Sequence, residues 1–297
     1  MSTTDERARI AGVELGGTKC VCVLADGEGV ILKQARVDTT TPEETLSGVE
    51  AILDGWRADD GFSALGIASF GPLDLDPASP AWGSIPATTK PHWSGADVAK
   101  RLTGRYGVPY AFDTDVNGAA FAEGRWGAAQ GLNDFAYVTV GTGVGVGLIA
   151  NGKAMRGFGH CELGHMRVQR LDGDDWPGWC VFHGGCVEGL ASGSAIRARL
   201  GREDISSLTA DDPVWANVAH TLAQLAHTLC LTAAPRRILI GGGVVTGQPH
   251  LLPLIETKLR ESLNGYLVLP DETIVRAPGL GDRAGPLGPV AMALDQL

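Results

Sequence analysis

Between Arg9 and Asp38 the chain alternates apolar runs with turn residues: R-I-A-G-V-E-L, G-G-T-K, C-V-C-V-L-A-D, G-E-G and V-I-L-K-Q-A-R-V. Short runs rich in β-branched residues and bounded by glycine predict a strand, a tight turn and a returning strand, then a third strand after Gly27 to Gly29. The next segment, T-P-E-E-T-L-S-G-V-E-A-I-L-D-G-W, has a Thr cap, Pro in the first turn and helical apolar spacing, so it predicts a helix. A-L-G-I-A-S-F-G-P-L follows as a buried strand ending in a turn.

A similar order recurs later. F-A-Y-V-T-V, the turn G-T-G-V-G and V-G-L-I-A make a second hairpin, closed at Asn151-Gly152 into another extended segment. Helical patterns follow in A-S-G-S-A-I-R-A-R-L and V-W-A-N-V-A-H-T-L-A-Q-L-A-H-T-L-C-L-T-A-A, and R-R-I-L-I-G-G-G-V-V is a strand entering a glycine turn. Two structurally parallel α/β halves are expected. The boundary is placed near Gly118, giving an N-terminal domain over 1–117 and a larger domain over 118–287. A C-terminal helix over 288–297 is expected to pack back on the first.

With 297 residues, 44% of them hydrophobic, the chain can bury two cores. A formal charge of -10 and the absence of any basic run exclude a nucleic-acid surface. No apolar stretch approaches the length of a membrane span, and M-S-T-T-D-E-R-A-R is too polar and acidic for a secretory signal. The expected compartment is the cytoplasm. Of six cysteines, Cys20 and Cys22 alternate within a strand, Cys161 and Cys230 are ordinary reduced thiols, and two lie in the string described next.

That string is C-V-F-H-G-G-C, in which Cys180, His183 and Cys186 follow at intervals of three, with His165 fifteen residues upstream as a fourth ligand. Thiolates mixed with imidazole favour zinc, and four protein ligands leave no open position, so the metal is structural. Its task is to hold Glu162 and Glu188, just outside the ligand set, in a fixed geometry.

Gly16, Gly17, Thr18 and Lys19 lie between two strands, where glycines let backbone N–H groups approach an anion and Thr18 adds a hydroxyl. This is a phosphate turn of hairpin type, without Walker spacing and without a following helix. Gly141, Thr142 and Gly143 open a second such turn, which fails the dinucleotide fingerprint because a strand follows it. One turn per half suggests two jaws around a triphosphate. Gly241, Gly242 and Gly243 after an apolar strand offer bare backbone to a nucleoside. In F-D-T-D-V-N-G-A-A-F-A-E-G, Asp113, Asp115 and Asn117 leave a strand as a helix begins, so a carboxylate there is a general base or a helix cap.

Taken together these segments closely resemble the ROK family of bacterial sugar kinases and regulators, and within it the fructokinase branch, over nearly the whole chain. The family's phosphate motif looks like G-V-E-L-G-G-T-K, its catalytic segment like D-T-D-V-N-G-A-A, and its sugar-binding motif like Glu162-Leu163-Gly164-His165. The zinc string followed by E-G-L-A-S-G is similar to fructokinases, as is T-T-K-P-H-W at Thr88 to Trp93, which departs from the usual T-P-K-P-G-W. Cys161 stands where fructokinases often have proline.

The resemblance implies the two-domain α/β fold of sugar kinases and actin-like ATPases, closing over a central cleft, and a homodimer. It implies ATP, Mg²⁺ and structural Zn²⁺, with Asp115 as the base that deprotonates the 6-hydroxyl of fructose. Thr114 and Asn117 would position sugar hydroxyls and adjoining backbone. Glu162, His165 and Glu188 would bind the sugar, with His165 shared between zinc and a hydroxyl. Glucokinase, mannokinase and broad hexokinase activities are the alternatives within the family. A sugar-sensing repressor would add an N-terminal winged helix, for which the nine or so residues before the first strand leave no room, and a sugar-binding protein without catalysis is the remaining non-enzyme reading.

Overall fold

The structure is a computed structural model that describes residues 8–297. The polar segment 1–7, on which the reading of the N-terminus rests, lies outside the described residues. In chain order the elements are β1 (Ile10–Leu15), β2 (Lys19–Ala25), β3 (Ile31–Asp38), α1 (Pro42–Asp59), β4 (Ala64–Ser69), β5 (Ser84–Ile85), β6 (Ala96–Asp97), α2 (Ala99–Tyr106), β7 (Tyr110–Thr114) and α3 (Asp115–Trp126). There follow β8 (Phe135–Val140), β9 (Val144–Ala150), β10 (Lys153–Ala154), α4 (Val187–Ala191), α5 (Gly193–Leu200), α6 (Val214–Ala233), β11 (Arg237–Gly241), α7 (Gly243–Gly247), α8 (Leu251–Leu263), β12 (Val275–Arg276) and α9 (Ala284–Leu294).

The chain divides into two compact units. One holds the residues through Gly131 together with Met155–His160 and Gly279–Leu297; the other holds Leu132–Ala154 and Cys161–Pro278. Each is built on a five-stranded sheet, ordered β3-β2-β1-β4-β7 in the first and β10-β9-β8-β11-β12 in the second. In both, three antiparallel strands are followed by two that run parallel to the third. The weak echo between the two halves of the sequence is thus a shared topology.

The division differs from the one expected near Gly118, because α3 belongs wholly to the first unit. A Cβ on Gly288 of α9 would stand 2.5 Å from the backbone of Gly118, so the two helices cross at a pair of glycines. Beneath them, a Cβ on Gly66 of β4 would stand 1.7 Å from the carbonyl of Pro289. No side chain fits at either crossing, and that closeness joins the C-terminal helix to the first sheet.

Local chemistry explains the helix starts. Thr41 caps α1 by accepting from Glu44 N, with Pro42 in the first turn, and the buried face is Leu46, Val49, Leu53 and Trp56. The sequence reading leaves α2 and α8 without an element. For α8 the signal was present: Leu251, Ile255, Leu259 and Leu263 recur every four residues, all buried, and Asn264 ends the helix in the left-handed region. Among the described residues the six cysteines are free thiols, and no helix is long and apolar enough to cross a membrane.

Candidate active site and metal centre

In the first unit, two of the singled-out motifs leave the sheet at the same level. Leu15 pairs with Ser69, and Ser69 with Thr114, in parallel register. The turn Gly16 to Lys19 and the start of α3 therefore both lie at the carboxyl ends of parallel strands, where open α/β sheets bind ligands.

The turn is held by its carbonyls. Thr39 Oγ1 donates to Gly16 O at 2.8 Å, Lys90 Nζ to Gly17 O, Thr39 N to Thr18 O at 3.0 Å and Gly16 N to Lys19 O at 3.1 Å. Gly17, Thr18 and Lys19 are exposed, and a Cβ on Gly17 would meet no protein atom within 4 Å. Open space outside a rigid turn is what a phosphate oxygen requires. Glu14, an acid in β1 that the sequence reading passed over, lies against α9: a Cβ on Gly285 would stand 2.1 Å from its Oε1. Burial raises its carboxyl pKa, with the Lys19 charge opposing.

At the start of α3 the competing roles of base and cap separate onto different residues. Thr114 is the cap, its hydroxyl accepting from Asn117 N at 3.2 Å. Asp113 is buried and fully engaged: Oδ1 accepts from Thr114 N at 2.7 Å and Asn117 Nδ2 at 2.9 Å, while Oδ2 takes the Arg156 guanidinium. Asp115 is half-buried, and its Oδ1 accepts from Val116 N at 2.8 Å. It is the first residue of the helix, where the dipole favours a carboxylate.

The second unit repeats the arrangement. Thr139 pairs with Gly241 in parallel register, so the turn after β8 and the glycines after β11 share one edge. Gly242 has φ of 86° and is pressed onto Val140, whose backbone would lie 2.6 Å from a Cβ. Gly141 O accepts from Gly193 N at 2.7 Å, tying the turn to the start of α5. Glu188 Oε2 accepts from Val144 N at 3.1 Å and would lie 2.5 Å from a Cβ on Gly143. This expected sugar ligand thus also braces the second glycine turn. Glu162 is exposed at the head of a 3-10 turn, Leu163–His165, which the missing side chain of Gly164 lets sit against Val144 O.

That turn brings His165 to the cysteine string. The ligand atoms of His165, Cys180, His183 and Cys186 all lie within 4.8 Å of one another. Cys180 Sγ is 3.6 Å from His165 Nδ1 and 3.7 Å from His183 Nδ1, and Cys186 Sγ is 3.7 Å from His165 Nδ1. A tetrahedral site with metal–sulfur bonds of about 2.3 Å and metal–nitrogen bonds of about 2.0 Å has sulfur–nitrogen edges of about 3.5 Å. The donors therefore fit a tetrahedral cation. Burial pushes the Cys186 thiol up to about 11, with the neighbouring Cys180 and Glu188 adding to the shift against the Gly189 amide. The loop is otherwise closed by the Cys180–Gly184 backbone pair and by Val187 N donating to Met166 O at 3.0 Å.

Comparison with known proteins agrees with this architecture. The fructokinase of Zymomonas mobilis is 44% identical over 287 residues, covering 95% of each chain, and that of Pediococcus pentosaceus is 38% identical, covering 96% of this chain and 97% of its own. Among solved structures, a ROK family glucokinase from Streptomyces griseus in complex with glucose and AMPPNP superposes with a TM-score of 0.73 at 27% identity, covering 97% of this chain and 100% of that one. Its fold is the sugar-kinase and actin-like ATPase fold. The profile described as ROK family matches residues 10–296, and with two like sheets, each carrying a glycine turn at its carboxyl edge, the chain belongs to the ROK family.

Proposed function

We infer that this chain is an ATP-dependent fructokinase, which transfers the γ-phosphoryl group of ATP to the 6-hydroxyl of D-fructose and releases fructose 6-phosphate and ADP. The observation that carries the reading is 44% identity to a fructokinase across 95% of both chains. Asp115 is the general base, accepting the hydroxyl proton as that oxygen attacks the γ-phosphorus and the bond to ADP breaks. Thr114 takes the Asn117 N–H and Asp113 the Thr114 N–H and the Asn117 amide, so the capping of the helix falls to other residues. Thr114 and Asn117 position the sugar and the adjoining backbone.

Phosphoryl transfer asks mainly for positioning and charge neutralisation. In the first unit Gly16, Gly17, Thr18 and Lys19 bind phosphate; in the second, Gly141, Thr142 and Gly143 do so, and Gly241, Gly242 and Gly243 take the nucleoside. Mg²⁺ accompanies ATP as part of the substrate and neutralises phosphate charge. Glu162, His165 and Glu188 bind sugar hydroxyls. His165 turns Nδ1 to the thiols, which reserves Nε2 for the sugar. Zinc, held by His165, Cys180, His183 and Cys186, supplies a cross-link and no reaction step. The working compartment is the cytoplasm, where ATP and reduced thiols coexist, and the assembly is a homodimer.

The test is ATP- and Mg²⁺-dependent phosphorylation of fructose, glucose and mannose side by side, with zinc counted in the same preparation. Preferred turnover of fructose with about one zinc per chain is expected. Faster turnover of glucose or mannose overturns the fructokinase assignment, and no turnover of any sugar overturns the kinase.

A further inference from the structure

The segment Thr88 to Trp93 reaches the turn Gly16 to Lys19 through Lys90. Its anchor is Trp93, which is fully buried, meets Phe70 edge-on with ring centroids 5.3 Å apart and donates its indole N–H to Thr40 O at 2.8 Å. Trp93 N also donates to Lys90 O at 3.3 Å, closing a turn through His92, whose φ is 72°. The turn delivers Lys90 to the phosphate turn. Its ammonium donates to Gly17 O and, at 3.4 Å, to Thr39 O, and lies 5.9 Å from the centroid of the Phe70 ring.

A trans peptide points its C=O and N–H in opposite directions. Holding Gly17 O from behind therefore aims Thr18 N–H outward, just as Thr39 Oγ1 on Gly16 O aims Gly17 N–H outward. A hydroxyl on one carbonyl is matched by a cation on the next. The cation polarises the peptide it holds, making the opposite N–H a better donor. It also brings positive charge to a turn that must receive phosphate oxygens.

We propose that Lys90 is a positioning residue for the nucleotide: its ammonium fixes and polarises the Gly17–Thr18 peptide so that Thr18 N–H meets a phosphate oxygen of ATP. This rests on the reading of Gly16 to Lys19 as a phosphate turn, and one set of full-length variants separates the two. Lys90→Met, Lys90→Arg and Gly17→Val are compared with the parent for Mg²⁺·AMPPNP affinity by titration calorimetry, and for kcat and KM toward ATP and fructose. Lys90→Met is expected to weaken nucleotide binding roughly 10- to 100-fold, the scale of one charge-assisted hydrogen bond, with the fructose KM within about twofold of the parent value and Lys90→Arg restoring most of the affinity.

Unchanged nucleotide affinity in Lys90→Met, or an equal rise in both KM values, overturns the role of Lys90. If Gly17→Val weakens AMPPNP while Lys90→Met does not, the phosphate turn stands and Lys90 is only a staple. If neither weakens it, both readings fail. Lys90→Gln, which keeps the apolar stem, replaces Lys90→Met with the same criteria should that variant not fold.

Discussion

Arg156 closes its guanidinium on the carboxylate of Asp113, joining the short segment Met155–His160 to the strand end that precedes Asp115. The same segment is held again where Leu73 N donates to His160 Nε2 at 2.9 Å. The Asp113 side chain is 3% exposed and that of Arg156 42%. Replacing Arg156 with Met would leave a buried carboxylate without its cation. We expect a loss of about 2 kcal/mol in urea unfolding, less than for a fully buried pair because Arg156 is partly solvated. A fall in kcat should accompany it, since Asp113 also fixes Thr114 and Asn117. Parent-like stability and kcat would show that the pair is dispensable.

Asp115→Asn is expected to lower kcat by about 10²–10⁴-fold, with circular dichroism and zinc content unchanged. Asparagine keeps an oxygen for the Val116 N–H but cannot take the sugar proton. Full retained turnover would remove Asp115 from the role of base.

Cys180→Ser is expected to drop the zinc count from about one per chain toward zero and to lower the melting temperature, as is treatment of the parent with a strong chelator. Atomic absorption and calorimetry check both. Zinc retained at parent stoichiometry in the variant would break the ligand assignment.

Glu123 is fully buried in α3 and accepts three backbone N–H groups: Ala128 N at 2.7 Å, Gly279 N at 2.8 Å and Leu280 N at 2.8 Å. Through it the C-terminal segment is bound to α3. Glu123→Ala would strand those donors, so a loss of about 3 kcal/mol or more is expected. Equilibrium unfolding measures it, and a change under 1 kcal/mol (roughly one hydrogen bond) would contradict the account.

His92 is exposed and left-handed, at the place where the similar fructokinase segment has glycine. His92→Gly should relieve backbone strain and raise stability by about 0.5–1 kcal/mol after the extra freedom of glycine in the unfolded chain. A lower melting temperature than the parent would mean that the histidine makes a contact worth more than the strain.

Much of this protein is determined within short windows of sequence. Strands β1 to β4 and helix α1 follow from alternation, glycine punctuation and the Thr41-Pro42 cap, because those signals act between residues a few positions apart. The string from Cys180 to Cys186 likewise states its ligand chemistry through residue type and spacing. The tertiary structure decided the rest. Nothing near Asp113 in sequence indicates Arg156, nothing near Gly17 indicates Lys90, and Gly118 gives no sign that it faces Gly288. These partners are brought together by sheet order and by the return of α9, and a lone charge or glycine carries no local pattern to announce a neighbour so far along the chain. The sequence by itself determined which chemical groups are available and which elements carry them; only folding decided which group restrains which, because that depends on through-space distances that local periodicity does not encode.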